Sequence, residues 1–317
     1  MNLLVTGGSG FIGSNFIKRA FKEAEVSSIV NVDKLTYAAD PWNTTAFEDR
    51  ENYFFYDFCL SDYERFNQVC DKHEVTDVVH FAAETHVDNS IKGSRVFVQS
   101  NIVATHSILE TCKDKDIRLH HISTDEVYGE IFGQERFTEK TSYDPKNPYS
   151  ATKAASDFLV RSYVNTYGLR ATISNCSNNY GPNQHDEKLI PTIIRHLLKG
   201  ELIPVYGKGE NVRDWIYVDD HCSAIWKILK EGKIGDTYLV GADAERTNLE
   251  TISSICNLLE RTVSSSVKFV EDRAGHDFRY AIDGSKLKEE LGWKAHYTFL
   301  DGLSKTITFY KKKYNSP

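Results

Sequence analysis

Two kinds of apolar pattern alternate along the first half of the chain. Leu3 to Val5, Ser28 to Val32, Asp77 to Phe81 and Leu119 to Ile122 are short runs of the kind found in strands covered on both faces. Phe11 to Glu23, Asp62 to His73 and Val96 to Cys112 are longer, and their apolar residues recur at helical spacing. A third strand is expected to end at Asp57. Strand–helix alternation of this kind predicts an α/β fold with a doubly wound parallel sheet.

Past about Asn175 the spacing becomes irregular. Gly181-Pro182 and the 207–209 segment mark loops, while Ile190 to Lys199 and Leu249 to Leu259 keep a helical period. The expected division is residues 1–175 for the sheet domain and 176–317 for a smaller mixed α/β lobe, with some of its elements free to return to the first domain. No repeat or low-complexity tract interrupts the chain, and Lys311-Lys312-Lys313 reads as a solvated end.

Composition narrows the function classes. The 317 residues are 40% hydrophobic and 26% charged, ordinary values for a globular protein. A net charge of −7 argues against a broad nucleic-acid surface, though a local basic pocket for a diphosphate stays open. No apolar run reaches the roughly 18 residues of a membrane span, and no secretory leader pattern precedes the first strand. None of the six cysteines forms a Cys-x-x-Cys pair, so reduced structural thiols and a cytoplasmic location are expected, with no metal site.

The turn after the first strand carries chemistry. Gly7, Gly10 and Gly13 form a G-x-x-G-x-x-G pattern between a strand and a helix. Glycine lets the backbone approach a pyrophosphate, and the helix N-terminus offers free N–H groups. A tight turn alone would also use glycine. The strand-before, helix-after context points to a Rossmann-type dinucleotide site. Asp33 follows 20 residues after Gly13, where a carboxylate can bind both ribose hydroxyls and repel a 2′-phosphate. That favours NAD over NADP, with Lys34 as a nearby opposing charge. Asp57 reads equally well as a contact to adenine and as a loop carboxylate.

Tyr149 and Lys153 are four residues apart on one helix face, a spacing that no other Tyr–Lys pair in the chain has. A nearby ammonium is expected to lower the phenol pKa, so that Tyr149 can take a hydroxyl proton. Thr124 ends a strand and can bond the same hydroxyl, or else satisfy its own backbone. Asp125 and Glu126 come next. Adjacent acids would serve a helix start or a solvated loop. Beside such a Tyr/Lys pair, they suit one protonated and one ionised carboxyl, able to eliminate water.

These residues sit in longer motifs: residues 6–14 (TGGSGFIGS), 34–37 (KLTY), 81–88 (FAAETHVD), 123–129 (STDEVYG), 149–153 (YSATK), 178–182 (NNYGP), 187–191 (EKLIP), 213–215 (RDW) and 272–277 (DRAGHD). With them the chain resembles the extended short-chain dehydrogenases/reductases over nearly its full length. Within that superfamily it most resembles the dTDP-glucose 4,6-dehydratase family. The Asp125-Glu126 pair is the most discriminating feature, because sugar-nucleotide epimerases of the superfamily lack it.

The resemblance implies a net dehydration of a sugar nucleotide with retained NAD. Thr124, Asp125, Glu126, Tyr149 and Lys153 would be catalytic. The cofactor would be met by Gly7, Gly10, Phe11, Ile12, Gly13, Asp33, Lys34, Thr36, Asp57, Phe58, Phe81, Ala82, Ala83, Ser100, Tyr149, Lys153 and Asn179. The sugar nucleotide would be met by Thr85, Thr124, Asn178, Glu187, Lys188, Leu189, Pro204, Tyr206, Arg213, Asn248, Arg273, His276 and Tyr280. Arg213 and Arg273 suit a diphosphate, since guanidinium forks pair with phosphate oxygens; each would otherwise be a surface ion pair.

The resemblance also implies a homodimer through helices of the first domain, such as Val96 to Cys112 and Pro148 to Tyr167. Three departures from the family pattern lie near the substrate site. Thr85 replaces Ser, Asn89 replaces Arg, and residues 183–186 (NQHD) replace aromatic and proline residues. Competing readings are a UDP-, CDP- or GDP-sugar dehydratase, a UDP-sugar 4-epimerase, and a non-catalytic NAD-binding regulator. The acid pair argues against the epimerase. The intact Tyr149, Lys153 and acid pair argue against the regulator.

Overall fold

In a computed structural model, residues 1–272 and 277–315 are described. The strands are β1 (Asn2–Thr6), β2 (Ser28–Val32), β3 (Tyr53–Tyr56), β4 (Asp77–His80), β5 (Arg118–Thr124), β6 (Ala171–Cys176), β7 (Asn178–Tyr180), β8 (Ile203–Tyr206), β9 (Val212–Tyr217), β10 (Thr237–Val240), β11 (Glu245–Thr247) and β12 (Val267–Val270). The helices are α1 (Phe11–Ala20), α2 (Tyr63–Lys72), α3 (Val87–Lys92), α4 (Arg95–Phe97), α5 (Ala104–Asp114), α6 (Pro148–Tyr167), α7 (Leu189–Lys199), α8 (Val218–Glu231), α9 (Asn248–Leu258), α10 (Ser285–Leu291) and α11 (Phe299–Asn315).

Seven strands form one sheet in the order β10-β6-β5-β4-β1-β2-β3, every pair parallel. Parallel strands need helical crossovers, so both faces are covered and alternate side chains enter different cores. Leu3, Val5, Ile29 and Val79 join one core, while Leu4, Val30, Val32 and Val78 join the other. The strand order reverses beside β1, between β2 and β4, and a crevice opens there at the carboxyl ends of the strands.

Beyond β6 the chain builds a three-stranded sheet (β11-β9-β7) and a two-stranded one (β12-β8). It also sends β10 back to the edge of the main sheet, beside β6. Helix α8 packs on α1.

Local signals explain the helices that carry the site. Helix α6 begins with a reciprocal cap between Asn147 and Ser150, has Pro148 in its first turn, and ends on Gly168 at φ +68°. The expected helix from Val96 to Cys112 is not uniform: α4 passes through a π-helical stretch (Val98–Val103) before α5. That stretch turns Ser100 and Asn101 inward, and both are buried. Asn101 Nδ2 donates to the Glu84 carbonyl at 3.1 Å and to Thr152 Oγ1 at 2.9 Å, while its Oδ1 accepts from Glu84 N–H at 2.9 Å.

Candidate active site

The crevice at the strand ends is a cavity of about 300 Å3. Its floor is the glycine turn after β1. Gly7 has φ +67°, and a Cβ there would lie 2.8 Å from the Ala82 backbone. A Cβ on Gly13 would lie 2.3 Å from the Gly7 carbonyl oxygen, so the turn cannot close around a side chain. Helix α1 starts at Gly10 with no side-chain cap and no acidic residue in its first turn. Its N-terminal N–H groups and dipole therefore remain for an anion.

Asp33 is buried. Its Oδ2 accepts from Ser9 N–H at 3.0 Å and its Oδ1 from Leu35 N–H at 2.9 Å. Burial raises its pKa, and those two backbone bonds oppose the shift. The Lys34 ammonium is engaged elsewhere in the cleft. Its Nζ donates to Ser100 Oγ at 2.6 Å and lies 3.6 Å from Glu84 Oε1. The cradle, the bare helix end and the acceptor at Asp33 fit a dinucleotide without a 2′-phosphate.

The catalytic candidates meet at the far end of the same cavity. Thr124, Asp125, Glu126, Tyr149 and Lys153 all line it. Tyr149 is 7% exposed and Asp125 2%, so both react in a desolvated pocket. Asp125 is pushed up to about 8 by burial, then by the charges of Glu126 and Asp214; Arg213 and a Thr124 hydrogen bond oppose. Thr124 Oγ1 donates to Asp125 Oδ1 at 3.2 Å, and Oδ2 has no hydrogen-bond partner among the described residues. Glu126, half-buried, is also raised by burial, with Lys188 and Arg213 pulling it down.

One expectation is corrected. The Tyr149 phenol is not lowered but raised, first by burial and then by Glu126. Burial is the reason, and the ammonium does not counter it: Lys153 Nζ donates to the Ile122 carbonyl at 2.7 Å.

Of the remaining expected cofactor contacts, Gly7, Gly10, Phe11, Ile12, Gly13, Asp33, Lys34, Thr36, Phe58, Phe81, Ala82, Ala83, Ser100 and Asn179 line this cavity. Asp57 does not. It is exposed just past β3, and the chain turns Phe58, Cys59 and Leu60 inward instead. Of the expected substrate contacts, Thr85, Asn178, Glu187 and Lys188 line it as well.

A second cavity shares Asn178 and Glu187 with the first and adds Leu189, Pro204, Tyr206, Arg213 and Asn248. The Arg213 guanidinium stacks 4.4 Å over the Tyr280 ring and donates to the carbonyls of Val212, Phe278 and Asp277. Tyr280 lines neither cavity. It is buried under Arg213, with its hydroxyl donating to Asp277. Arg273 and His276 fall outside the described residues.

Sequence reasoning missed several lining residues. Glu84, Gln184 and His185 face the first cavity, and Trp215 with Ile252 walls the second. Glu187 also has unexpected neighbours: His86 Nε2 at 3.6 Å, His185 Nδ1 at 3.7 Å and Tyr37 Oη at 3.4 Å. Adjacency to Thr85 and Glu187 was the one available signal. Nothing local marks a contact made across 150 residues.

Comparison with known proteins agrees with this geometry. The family described as GDP-mannose 4,6 dehydratase matches residues 4–306. A solved UDP-glucose 4-epimerase from Thermotoga maritima, with UDP-glucose, is 25% identical, with a TM-score of 0.92 over 99% of this chain and 100% of that one. Fold and cleft thus define an extended short-chain dehydrogenase/reductase. A dTDP-glucose 4,6-dehydratase from Mycolicibacterium smegmatis is 51% identical over 98% of this chain and 93% of the relative. The solved dTDP-glucose 4,6-dehydratase from Bacillus anthracis, in complex with NAD, is 42% identical, with a TM-score of 0.92 over 98% and 97% of the two chains. The chain belongs to the dTDP-glucose 4,6-dehydratase family.

Proposed function

We propose that this protein converts dTDP-glucose to dTDP-4-keto-6-deoxyglucose and water, a hydro-lyase reaction that uses retained NAD. One observation carries it beyond the shared fold. Asp125 and Glu126 stand beside Tyr149 in one cleft, and Asp125 is held protonated to about pH 8. An epimerase needs no such acid.

Gly7, Gly10, Gly13 and Asp33 would hold NAD, with Ser100, Asn179 and Lys153 along its length. Bound there, NAD supplies the removal of hydride at C4 and its return at C6. Tyr149 and Thr124 hold the C4 hydroxyl; burial raises the phenol, so Tyr149 takes that proton as the phenolate that the positive charge of bound NAD would favour beside it. The ketone so formed at C4 acidifies the proton on C5. Glu126 removes that proton, and Asp125 gives its own proton to the departing C6 hydroxyl, which leaves as water. Two carboxyls perform these opposite tasks because burial and the Glu126 charge raise Asp125, while Lys188 and Arg213 pull Glu126 down. Lys188 and Arg213 balance the charge of Glu126, and Arg213 also faces the cavity where a diphosphate would lie. Residues 176–317 mainly hold the sugar nucleotide, with Arg273 and His276 assigned to it by resemblance.

The protein is proposed to act as a homodimer in the cytoplasm. Val96, Val98 and Val103 in the α4–α5 segment and Phe158 and Tyr167 on α6 are exposed apolar residues on adjacent helices, as a buried interface would need. All six cysteines are free thiols, which suits a reducing compartment. Among the described residues no helix is long and apolar enough to cross a membrane.

The test is incubation of the purified protein, without added cofactor, with dTDP-glucose and separately with UDP-glucose. The 4-keto-6-deoxy product is followed by its absorbance in alkali. Product from dTDP-glucose alone is expected. Product from UDP-glucose alone would reassign the base and direct attention to Asn89 and residues 183–186. Product from neither, in protein that carries NAD, would overturn the substrate.

A further inference from the structure

Behind the catalytic face of α6 lies a charged group that the reaction does not use. Asp157 is 0% exposed and sits one helical turn beyond Lys153 and two beyond Tyr149. Its Oδ2 accepts from Ser123 Oγ at 2.8 Å, Tyr143 Oη at 2.8 Å and Asn175 Nδ2 at 3.3 Å. Its Oδ1 faces His121 Nε2 at 3.2 Å. A carboxylate so deeply buried requires compensating charge or donors.

The hydrogen bonds decide the protonation of His121. Ser156 Oγ gives its one proton to the Lys153 carbonyl at 2.8 Å, so toward His121 Nε2, at 3.3 Å, it can only accept. Nε2 therefore carries the proton and points it at Ser156 and Asp157. Nδ1 is buried with no hydrogen-bond partner among the described residues. His121 is pushed down to about 4, by burial first and then by the Lys153 charge, so near neutral pH it is an uncharged donor. His80 is held the same way. Thr105 Oγ1 donates to the Asn101 carbonyl at 2.7 Å and so accepts from His80 Nε2 at 3.0 Å, while Thr6 Oγ1 lies 2.8 Å from His80 Nδ1. Two imidazoles, both uncharged near neutral pH, thus lie beside Lys153.

Two cations remain. Arg161 reaches Asp157 only through the Tyr143 hydroxyl, to which it donates at 2.8 Å. Lys153 is buried, and among the described residues its ammonium hydrogen-bonds only a neutral carbonyl. Burial lowers the Lys153 pKa, and Asp157 is the first group to oppose that, with Cys176 on β6 second. Burial alone would raise Asp157, but His121 beside it, by contact and by charge, then the Lys153 charge and the Ser123 bond bring it below the usual carboxylate range. Tyr128, in the turn after Thr124, feels the Asp157 charge as well.

We propose that Asp157 is a positioning residue for the reaction: a buried anion, set on His121, that keeps Lys153 a cation and ties the catalytic face of α6 to the end of β5. The tie to β5 is direct. Ser123 precedes Thr124, and Asn175, which donates to Asp157, also donates to the Thr124 carbonyl at 3.0 Å. Asp157 touches no substrate; it acts through Lys153 and through the strand end that carries Thr124, Asp125 and Glu126. This role rests on the proposed use of Lys153.

A double-mutant cycle tests it without turnover. Unfolding midpoints in urea are measured for the NAD-loaded native protein, Asp157→Asn, Lys153→Met and the double variant. Asp157→Asn leaves a buried cation unbalanced in the native background. In the Lys153→Met background it removes an unbalanced anion. Its midpoint loss is therefore expected to be less than half as large there. Equal losses in both backgrounds would mean that Asp157 serves only its hydrogen bonds, and would overturn the proposal. Steady-state rates on dTDP-glucose are the second readout. The expectation for Asp157→Asn is kcat lowered roughly tenfold or more, with KM within about twofold. An unchanged kcat would overturn the positioning role. A protein inert on dTDP-glucose would instead count against the substrate assignment and leave the unfolding cycle readable.

Discussion

Tyr149→Phe is expected to lower turnover of dTDP-glucose by roughly 1,000-fold or more, the scale of losing a positioned general base. The ring should stay in place. It is 7% exposed, and it packs edge-on against Phe97 at 6.5 Å between centroids. Removing a buried hydroxyl with so raised a pKa should leave folding nearly unchanged. The melting temperature and the amount of NAD carried through purification are therefore expected to match the native protein, while the alkali-absorbing product disappears. A variant retaining a tenth of native turnover would move the proton abstraction to another group, with Thr124 first in line.

Asp125→Asn is expected to block the elimination and spare the earlier step. Loss of the proton donor to C6 should reduce kcat by roughly 100- to 1,000-fold. Tyr149 and Glu126 remain, so dTDP-glucose recovered from heavy water should carry deuterium at C5 without accumulation of product. Stability supplies an independent check. The unfolded carboxyl ionises near its model value of 3.8, whereas the folded one keeps its proton to about 8. Between those values the folded state binds more protons, so this group's contribution to native stability is full below the lower value and is lost as pH rises through the upper one. Asparagine does not titrate. The variant should therefore gain on the native protein as pH rises from about 4 to about 8, by something on the order of several kcal/mol. Denaturation at the two ends of that window measures it; a constant difference would mean that Asp125 ionises normally.

The sheet was legible because its rules are local. A strand buried on both faces must be a continuous apolar run, and Ser28 to Val32 reads as β2 without any knowledge of its neighbours. The glycine turn is local in part: Gly13 is required by contact with Gly7 inside the turn, whereas Gly7 is pressed against the Ala82 backbone after β4, a contact its spacing does not reveal. Tyr149 and Lys153 share a helix face by spacing alone. The π-helical stretch in the helix expected from Val96 to Cys112 was not legible. Its apolar period looks helical, and the stretch packs on α6, with Asn101 bonded to Glu84 and Thr152, residues distant in sequence.

Residue types and short spacings therefore determined the parallel α/β sheet, the dinucleotide turn, and the presence of a tyrosine, a lysine and two acids suited to dehydration. The tertiary structure decided how those groups are charged and aimed. Lys34 reaches Ser100 and Glu84. Arg213 is stacked on Tyr280, and Asp157 meets His121 beneath Lys153. The rise of Asp125 to about 8 belongs to the same class. Desolvation and Coulomb energy depend on what surrounds a group in three dimensions, and those neighbours come from segments that no local pattern connects.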